Sequence, residues 1–149
     1  MNNIQRITSF SVDHDKIVPG MYISRIDGDI TSFDLRTRTP NAGDYMDNVT
    51  MHSVEHMLAT LLRNGEIGES VIYFGPMGCQ TGFYLSTMNS VTAEDIAAAL
   101  TRVYNKVFPI HTTEDIVGLN EIQCGNPYLY DIEGTNAAME KYINLLNNK

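Results

Sequence analysis

Apolar and polar positions repeat along this chain with two periods, and the two periods predict different elements. Between residues 21 and 36 the period is two. Tyr22, Ile23 and Ile26 lead into Asp27-Gly28, and Ile30, Phe33 and Leu35 carry the return. Phe33 and Leu35 alternate with Asp34 and Arg36, so one face is apolar and the other polar. Asp-Gly tolerates the positive φ of a tight turn, and the segment reads as a β-hairpin. Pro40-Asn41-Ala42-Gly43 closes it as a loop. A second strand pair follows further on. Ser70 to Phe74 runs into Gly75-Pro76-Met77-Gly78-Cys79, and Thr81 to Thr87 continues.

Residues 49 to 64 carry the period of a helix. Met51, Val54, Met57, Leu58, Leu61 and Leu62 form one apolar stripe. Asn48 or Thr50 is the expected cap, and Gly65 the expected left-handed end. Thr92-Ala93-Glu94-Asp95 opens another helix with a Thr cap and an acidic first turn. Ile96, Leu100, Val103 and Val107 are its stripe, and Pro109 lies beyond its end. Ile116 to Cys124 reads as a short extended piece. A last helix spans roughly Thr135 to Leu146, with Met139, Tyr142, Ile143 and Leu146 inward. Hairpins and separate helices predict an α+β fold, a mostly antiparallel sheet with helices packed on it.

Composition narrows the function. A chain of 149 residues, 43% of them hydrophobic, is expected to be one domain, 1–149, with a core of its own. The formal net charge of −8 repels phosphate, which argues against nucleic acid and against an anionic membrane surface. No apolar run approaches the roughly 18 residues of a membrane-spanning helix. Met1-Asn2-Asn3-Ile4-Gln5-Arg6 has no apolar stretch of the signal-peptide kind, so a cytoplasmic protein is expected. Its two cysteines are too few for a disulfide scaffold.

His52-Ser53-Val54-Glu55-His56 is the sharpest local signal. Histidines at i and i+4 lie on one helix face, where both imidazoles can reach one metal ion. With His52 at zero on a wheel of roughly 100° per residue, His56 falls near ~40° and Glu55 near ~300°. The aliphatic stripe centres near ~215° on the same wheel, so the histidines point away from the core. Glu55 stands beside the pair, within reach of proton transfer. Two surface histidines are the plain alternative. Only four His occur in the chain, and two of them fall at ligand spacing, which favours a metal.

A metal needs further ligands. Cys79, Cys124, His111, His14 and some carboxylates are the candidates. Cys124 follows the extended piece and precedes Gly125 and Pro127, a turn in which a thiolate has room. It could equally be a small buried hydrophobe at a strand end. Cys79 stands among Pro76, Gly78 and Gly82, between two strands, where a tight turn can hold a reactive side chain exposed. A ligand role competes with that reading, and a disulfide with Cys124 ranks third.

Taken together these pieces resemble the S-ribosylhomocysteine lyases, the autoinducer-2 synthase (LuxS) family. The likeness rests on Ser9-Phe10-Ser11-Val12-Asp13-His14, Phe33-Asp34-Leu35-Arg36 with Pro40-Asn41, and the His52–His56 helix. It continues through Pro76-Met77-Gly78-Cys79-Gln80-Thr81-Gly82-Phe83-Tyr84 and Asn120-Glu121-Ile122-Gln123-Cys124-Gly125. It covers nearly the whole chain, in the family's order. The resemblance implies a cytoplasmic α+β homodimer that serves the methyl cycle and quorum sensing. The family cleaves S-ribosyl-L-homocysteine to L-homocysteine and 4,5-dihydroxypentane-2,3-dione, the autoinducer precursor. It implies one divalent metal per subunit, Fe2+ or a replacing Zn2+ or Co2+, held by His52, His56 and Cys124, with no organic cofactor. It implies Cys79 and Glu55 as the proton carriers, and Ser9, His14 and Arg36 as residues lining the substrate pocket. Where the family usually has Asp-x-Ser before Pro-Met-Gly-Cys, this sequence has Tyr73-Phe74-Gly75, which implies a less polar loop beside Cys79.

Two other functions fit parts of the pattern. His-x-x-Glu-His is also the signature of inverzincin peptidases, with Glu55 activating water and Glu133 as a distant third ligand. That reading leaves Cys79 and Cys124 unexplained. A non-catalytic metal-binding module would close the site with four protein ligands, for which Cys79 is one candidate.

Overall fold

The computed structural model describes residues 12–148. Among these residues four strands form one antiparallel sheet: β1 (Gly20–Asp27), β2 (Ile30–Arg36), β3 (Val71–Pro76) and β4 (Gly82–Met88). Their order across the sheet is β1-β2-β4-β3. Among the described residues three α-helices, α1 (Asn48–Arg63), α2 (Ala93–Val107) and α3 (Ile132–Asn147), join it in the expected α+β fold. No helix among the described residues is long and apolar enough to cross a membrane.

The core forms where the two periods meet. Phe33 and Leu35 on β2 and Phe83 and Leu85 on β4 are fully buried. Against them lie Val54, Met57, Leu58 and Leu62 of α1, Ile96 and Leu100 of α2, and Met139, Tyr142 and Ile143 of α3. Each such side chain contributes about 1.5–3 kcal/mol on burial. This shared core holds α1 with its apolar stripe on the sheet. The polar half of the β2 alternation is not solvated, however. Asp34 and Arg36 are only 3% and 1% exposed, and they satisfy one another.

Several boundaries differ from the sequence reading, each for a local reason. Asp47, rather than Asn48 or Thr50, caps α1. Its extended backbone brings Oδ1 to 2.8 Å from the Thr50 amide. At the other end Asn64 keeps a right-handed conformation, and Gly65 takes no left-handed one. The chain leaves instead through a tight turn, with the Gly68 amide on the Gly65 carbonyl. Helix α2 starts where expected, with Thr92 and Asp95 closing a reciprocal capping box. Helix α3 starts three residues early, at Ile132, capped by Asp131 through the Gly134 amide. Gly134 suits this place because a Cβ there would come within 2.5 Å of Thr50 Oγ1 on α1.

The largest correction concerns residues 116–124. No strand forms. The segment pairs with no strand among the described residues and folds into successive turns, with Ile116 buried as its anchor.

The Asp47 cap sits at the head of the helix that bears both histidines, and it yields a pH-dependent prediction. The bond from the Thr50 amide holds the Asp47 carboxyl below its usual range. A carboxyl lowered on folding stabilises the protein above its unfolded value of about 4, and that contribution is lost as pH falls through the folded value. Asp47→Ala should cost about 0.5–2 kcal/mol in urea unfolding at pH 7. The stability gap between wild type and Asp47→Asn should shrink as the pH is lowered towards about 3. A gap that does not change with pH refutes the charged cap.

Candidate metal centre

Helix α1 presents its second face to two loops. His52 and His56 are half-buried there, with ring centroids 4.6 Å apart. The Nδ1 of His52 lies 2.6 Å from the Leu129 carbonyl, and the Nδ1 of His56 lies 2.9 Å from the Val117 carbonyl. A carbonyl only accepts, so each Nδ1 carries the hydrogen. In the neutral rings this leaves both Nε2 lone pairs facing outward. These two atoms are 3.1 Å apart. Two lone pairs aimed at one point repel unless a cation lies between them. Carbonyl-bound Nδ1–H groups are the usual support of metal-binding histidines.

Cys124 closes the group. Its Sγ stands 3.5 Å from His52 Nε2. The three ligand atoms all lie within 4.8 Å of one another, so His52, His56 and Cys124 could hold one metal ion. A tetrahedral ion with bonds of about 2.1 Å to N and 2.3 Å to S sets ligand atoms about 3.4–3.6 Å apart. The separations of His52 Nε2 from His56 Nε2 and from Cys124 Sγ, 3.1 and 3.5 Å, are close to that.

The loop that carries Cys124 is built by side-chain capture. Asn120 Oδ1 accepts from the amides of Ile122 and Gln123 at 3.1 and 3.0 Å, and the Cys124 amide donates to the Asn120 carbonyl. The Asn126 amide donates to Cys124 Sγ at 3.3 Å. Gly118, at φ +78°, lets the same loop pass His56, whose Nδ1 would lie 3.3 Å from any Cβ there. On the far side, Ser53 Oγ accepts from the Asp131 amide and Thr50 Oγ1 donates to Asp131 Oδ2. These bonds hold the chain at Leu129 under His52.

Of the other candidates, none joins this group among the described residues. His111 is exposed, and Glu133 is exposed in the first turn of α3. Cys79 and Cys124 are free thiols. Glu55 is half-buried beside His56 and makes no hydrogen bond or ion pair with the described residues. Ser9 lies outside the described residues.

Cys79 is exposed in a cleft of about 500 Å³ lined by His14, Pro40, Asn41, Tyr45, Cys79 and Thr81. Its turn is docked on the start of α1. The Met46 amide donates to the Gln80 carbonyl, and Gln80 Nε2 to Asn48 Oδ1 at 3.0 Å. His14 Nδ1 donates to the Val12 carbonyl at 2.8 Å. Arg36 is not on the cleft surface. It lies behind Thr81, with Nε and Nη2 on the two Asp34 oxygens and Nη1 on Thr81 Oγ1 at 2.8 Å. Tyr73, Phe74 and Gly75 belong to β3 rather than to a loop. The exposed Tyr73 folds back so that its hydroxyl occupies the place of a side chain at Gly75.

Sequence reasoning missed the Val117 and Leu129 carbonyls, because backbone acceptors leave no residue-type signal. It also passed over Thr81, whose only signal was its place two residues after Cys79.

Three protein ligands leave a fourth position of a tetrahedral ion open, which is the pattern of catalytic rather than structural sites. Among the described residues the group therefore fits a metal site of the enzymatic kind. A family model described as S-ribosylhomocysteinase (LuxS) matches residues 7–149. Proteins named S-ribosylhomocysteine lyase are similar over nearly the whole chain. That of Borreliella afzelii is 36% identical over 150 residues, 97% of this chain and 94% of the relative. That of Clostridium beijerinckii is 40% identical over 145 residues, 94% of this chain and 87% of the relative. That of Finegoldia magna is 38% identical over 149 residues, with 97% and 94% covered. The chain belongs to the S-ribosylhomocysteinase (LuxS) family, as its motifs imply, and is an enzyme of the carbon–sulfur lyase class.

Metal analysis checks the group directly. Wild type should carry one divalent ion per chain. Cys124→Ala should lose it, and Cys79→Ala and Glu133→Gln should retain it. Full metal content in Cys124→Ala refutes the assignment.

Proposed function

We propose that this chain is an S-ribosylhomocysteine lyase, a cytoplasmic homodimer with one Fe2+ per subunit, replaceable by Zn2+ or Co2+, and no organic cofactor. We read residues 1–149 as its one domain. The products are L-homocysteine and 4,5-dihydroxypentane-2,3-dione, the autoinducer precursor of quorum sensing. The observation that carries this reading is the division of the thiols. Cys124 stands in the His52–His56 group, and Cys79 stands free in a cleft docked on the same helix.

A bound divalent ion supplies Lewis-acid polarisation of the open-chain sugar's carbonyl. His52, His56 and Cys124 would hold it through Nε2, Nε2 and Sγ. Cys79 Sγ takes the proton from C2 and returns it to C1, which moves the carbonyl to C2. A second round, from C3 to C2, moves the carbonyl to C3. The proton at C4 is then acidic. Its removal expels the C5 thioether as homocysteine, and the remaining enol relaxes to the dione. The Glu55 carboxylate holds the second proton, the one that shifts between substrate oxygens. Ser9 and His14 line the pocket around the substrate, and Arg36 supports its wall from behind Thr81.

The peptidase reading needs Glu133 as a ligand, and the geometry groups Cys124 with the histidines instead. The closed module needs four protein ligands, for which Cys79 is one candidate, and the group among the described residues has three, without Cys79. Support for a dimer comes from the sheet. Tyr22 pairs across from Asp34 and Tyr73 from Ser86, and both tyrosines are exposed on the face opposite Phe33 and Leu35. A second copy would cover them.

Homocysteine release from S-ribosylhomocysteine, followed with a thiol reagent, tests the activity. Cys79→Ala and Glu55→Gln should keep their metal and lose about 10²–10⁴ in turnover, the usual loss of a positioned acid or base. If Cys79→Ala loses metal instead, the closed module is the better reading. The dimer is checked separately by sedimentation: a fully active monomer at micromolar concentration refutes it.

A further inference from the structure

The geometry points to Thr81 as a positioning residue for Cys79, joining the exposed thiol to the buried Asp34–Arg36 pair through its side-chain hydroxyl. This inference rests on the proposed role of Cys79 as proton carrier.

The argument follows the hydrogens. Arg36 has only donors, so Thr81 Oγ1 must accept from its Nη1 at 2.8 Å. The hydroxyl's own hydrogen is then free to donate elsewhere. Cys79 Sγ lies 3.0 Å from Oγ1. A thiolate accepts and cannot donate, so in that state the bond runs from Thr81 to sulfur. The relay is thus directional: Asp34 orients Arg36, Arg36 fixes the Thr81 oxygen, and the Thr81 hydrogen points at Sγ.

Burial makes the relay rigid. Thr81 is only 1% exposed, and its carbonyl accepts from the Thr37 and Arg38 amides at 3.0 Å each. Arg36 is clamped by both Asp34 oxygens, at 3.1 and 2.5 Å. The cysteine itself is exposed on a turn whose next residue, Gln80, sits at φ +66°. Left to its own rotamers, an exposed Cys side chain would sample several directions. The Thr81 hydroxyl selects one of them and supplies a donor to the sulfur whenever it has given up its proton.

The test uses metal-loaded Thr81→Val, Thr81→Ser and Thr81→Ala beside wild type. Valine removes the hydroxyl at nearly constant shape, and serine restores it. Two quantities are read: homocysteine release, and alkylation of Cys79 by iodoacetamide at fixed pH, located by peptide mass. Thr81→Val should keep its metal and its KM. Its kcat and its alkylation rate should each fall about 10- to 100-fold, the range of a hydrogen bond to a charged group. Thr81→Ser should recover most of both. Thr81→Ala provides the same two readings if the valine variant fails to fold. Wild-type rates in Thr81→Val or Thr81→Ala overturn the inference. So does failure of Thr81→Ser to recover, since the methyl group and not the hydroxyl would then matter. Alkylation needs no substrate. If wild type releases no homocysteine, the proposed function fails, and the alkylation series still decides whether Thr81 holds Cys79.

Discussion

Helix α1 must bury one side completely and keep the opposite side available, and the rest of the molecule is arranged around that requirement. Its 3.6-residue repeat puts Val54, Met57, Leu58 and Leu62 on the sheet and turns His52 and His56 away from it. The rotation of the helix is therefore set by apolar packing, and the direction of the imidazoles follows from it. A shift of one residue would swing them by roughly 100°. The Asp47 cap and the approach of α3 at Gly134 fix the same helix along its axis.

Packing alone gives the histidines a direction but not a tautomer. That comes from two loops, which place carbonyls of Val117 and Leu129 against Nδ1. Irregular backbone suits this task. In a strand or helix those carbonyls would be taken by backbone partners. The turns of residues 116–124 leave the Val117 carbonyl free for His56, and Asn120 satisfies the amides that a strand partner would have taken. The missing strand and the oriented histidine are thus the same fact.

The sequence displayed the parts of the fold that depend on periodicity. Both hairpins, the three helices and the histidine face are legible because a repeat of two or 3.6 shows on the chain itself. The metal group was half legible. His52 and His56 are four residues apart, but Cys124 is 68 residues beyond His56, and only a family resemblance joined it to them. Residues 116–124 were misread because Ile116, Val117, Leu119 and Ile122 look like a strand, and nothing local shows that no sheet edge receives them. The start of α3 was missed because Gly134 looks like a helix breaker. Its close fit against Thr50 appears only once two helices meet.

The buried Asp34–Arg36 pair bears on why β2 alternates at all. An apolar pair of similar volume would serve stability as well, since desolvating two charges offsets most of their attraction. A purely stabilising strand would therefore have little use for this arrangement. The fork-to-fork contact fixes the guanidinium plane through two hydrogen bonds, at 3.1 and 2.5 Å, which no aliphatic side chain can do. The third bond, from Nη1, lies in the same plane and points towards Thr81 and the wall of the cleft. Apolar packing positions α1, whereas polar orientation positions the turn of Cys79. The two meet where Gln80 docks on the start of α1, through the Met46 amide and Asn48 Oδ1.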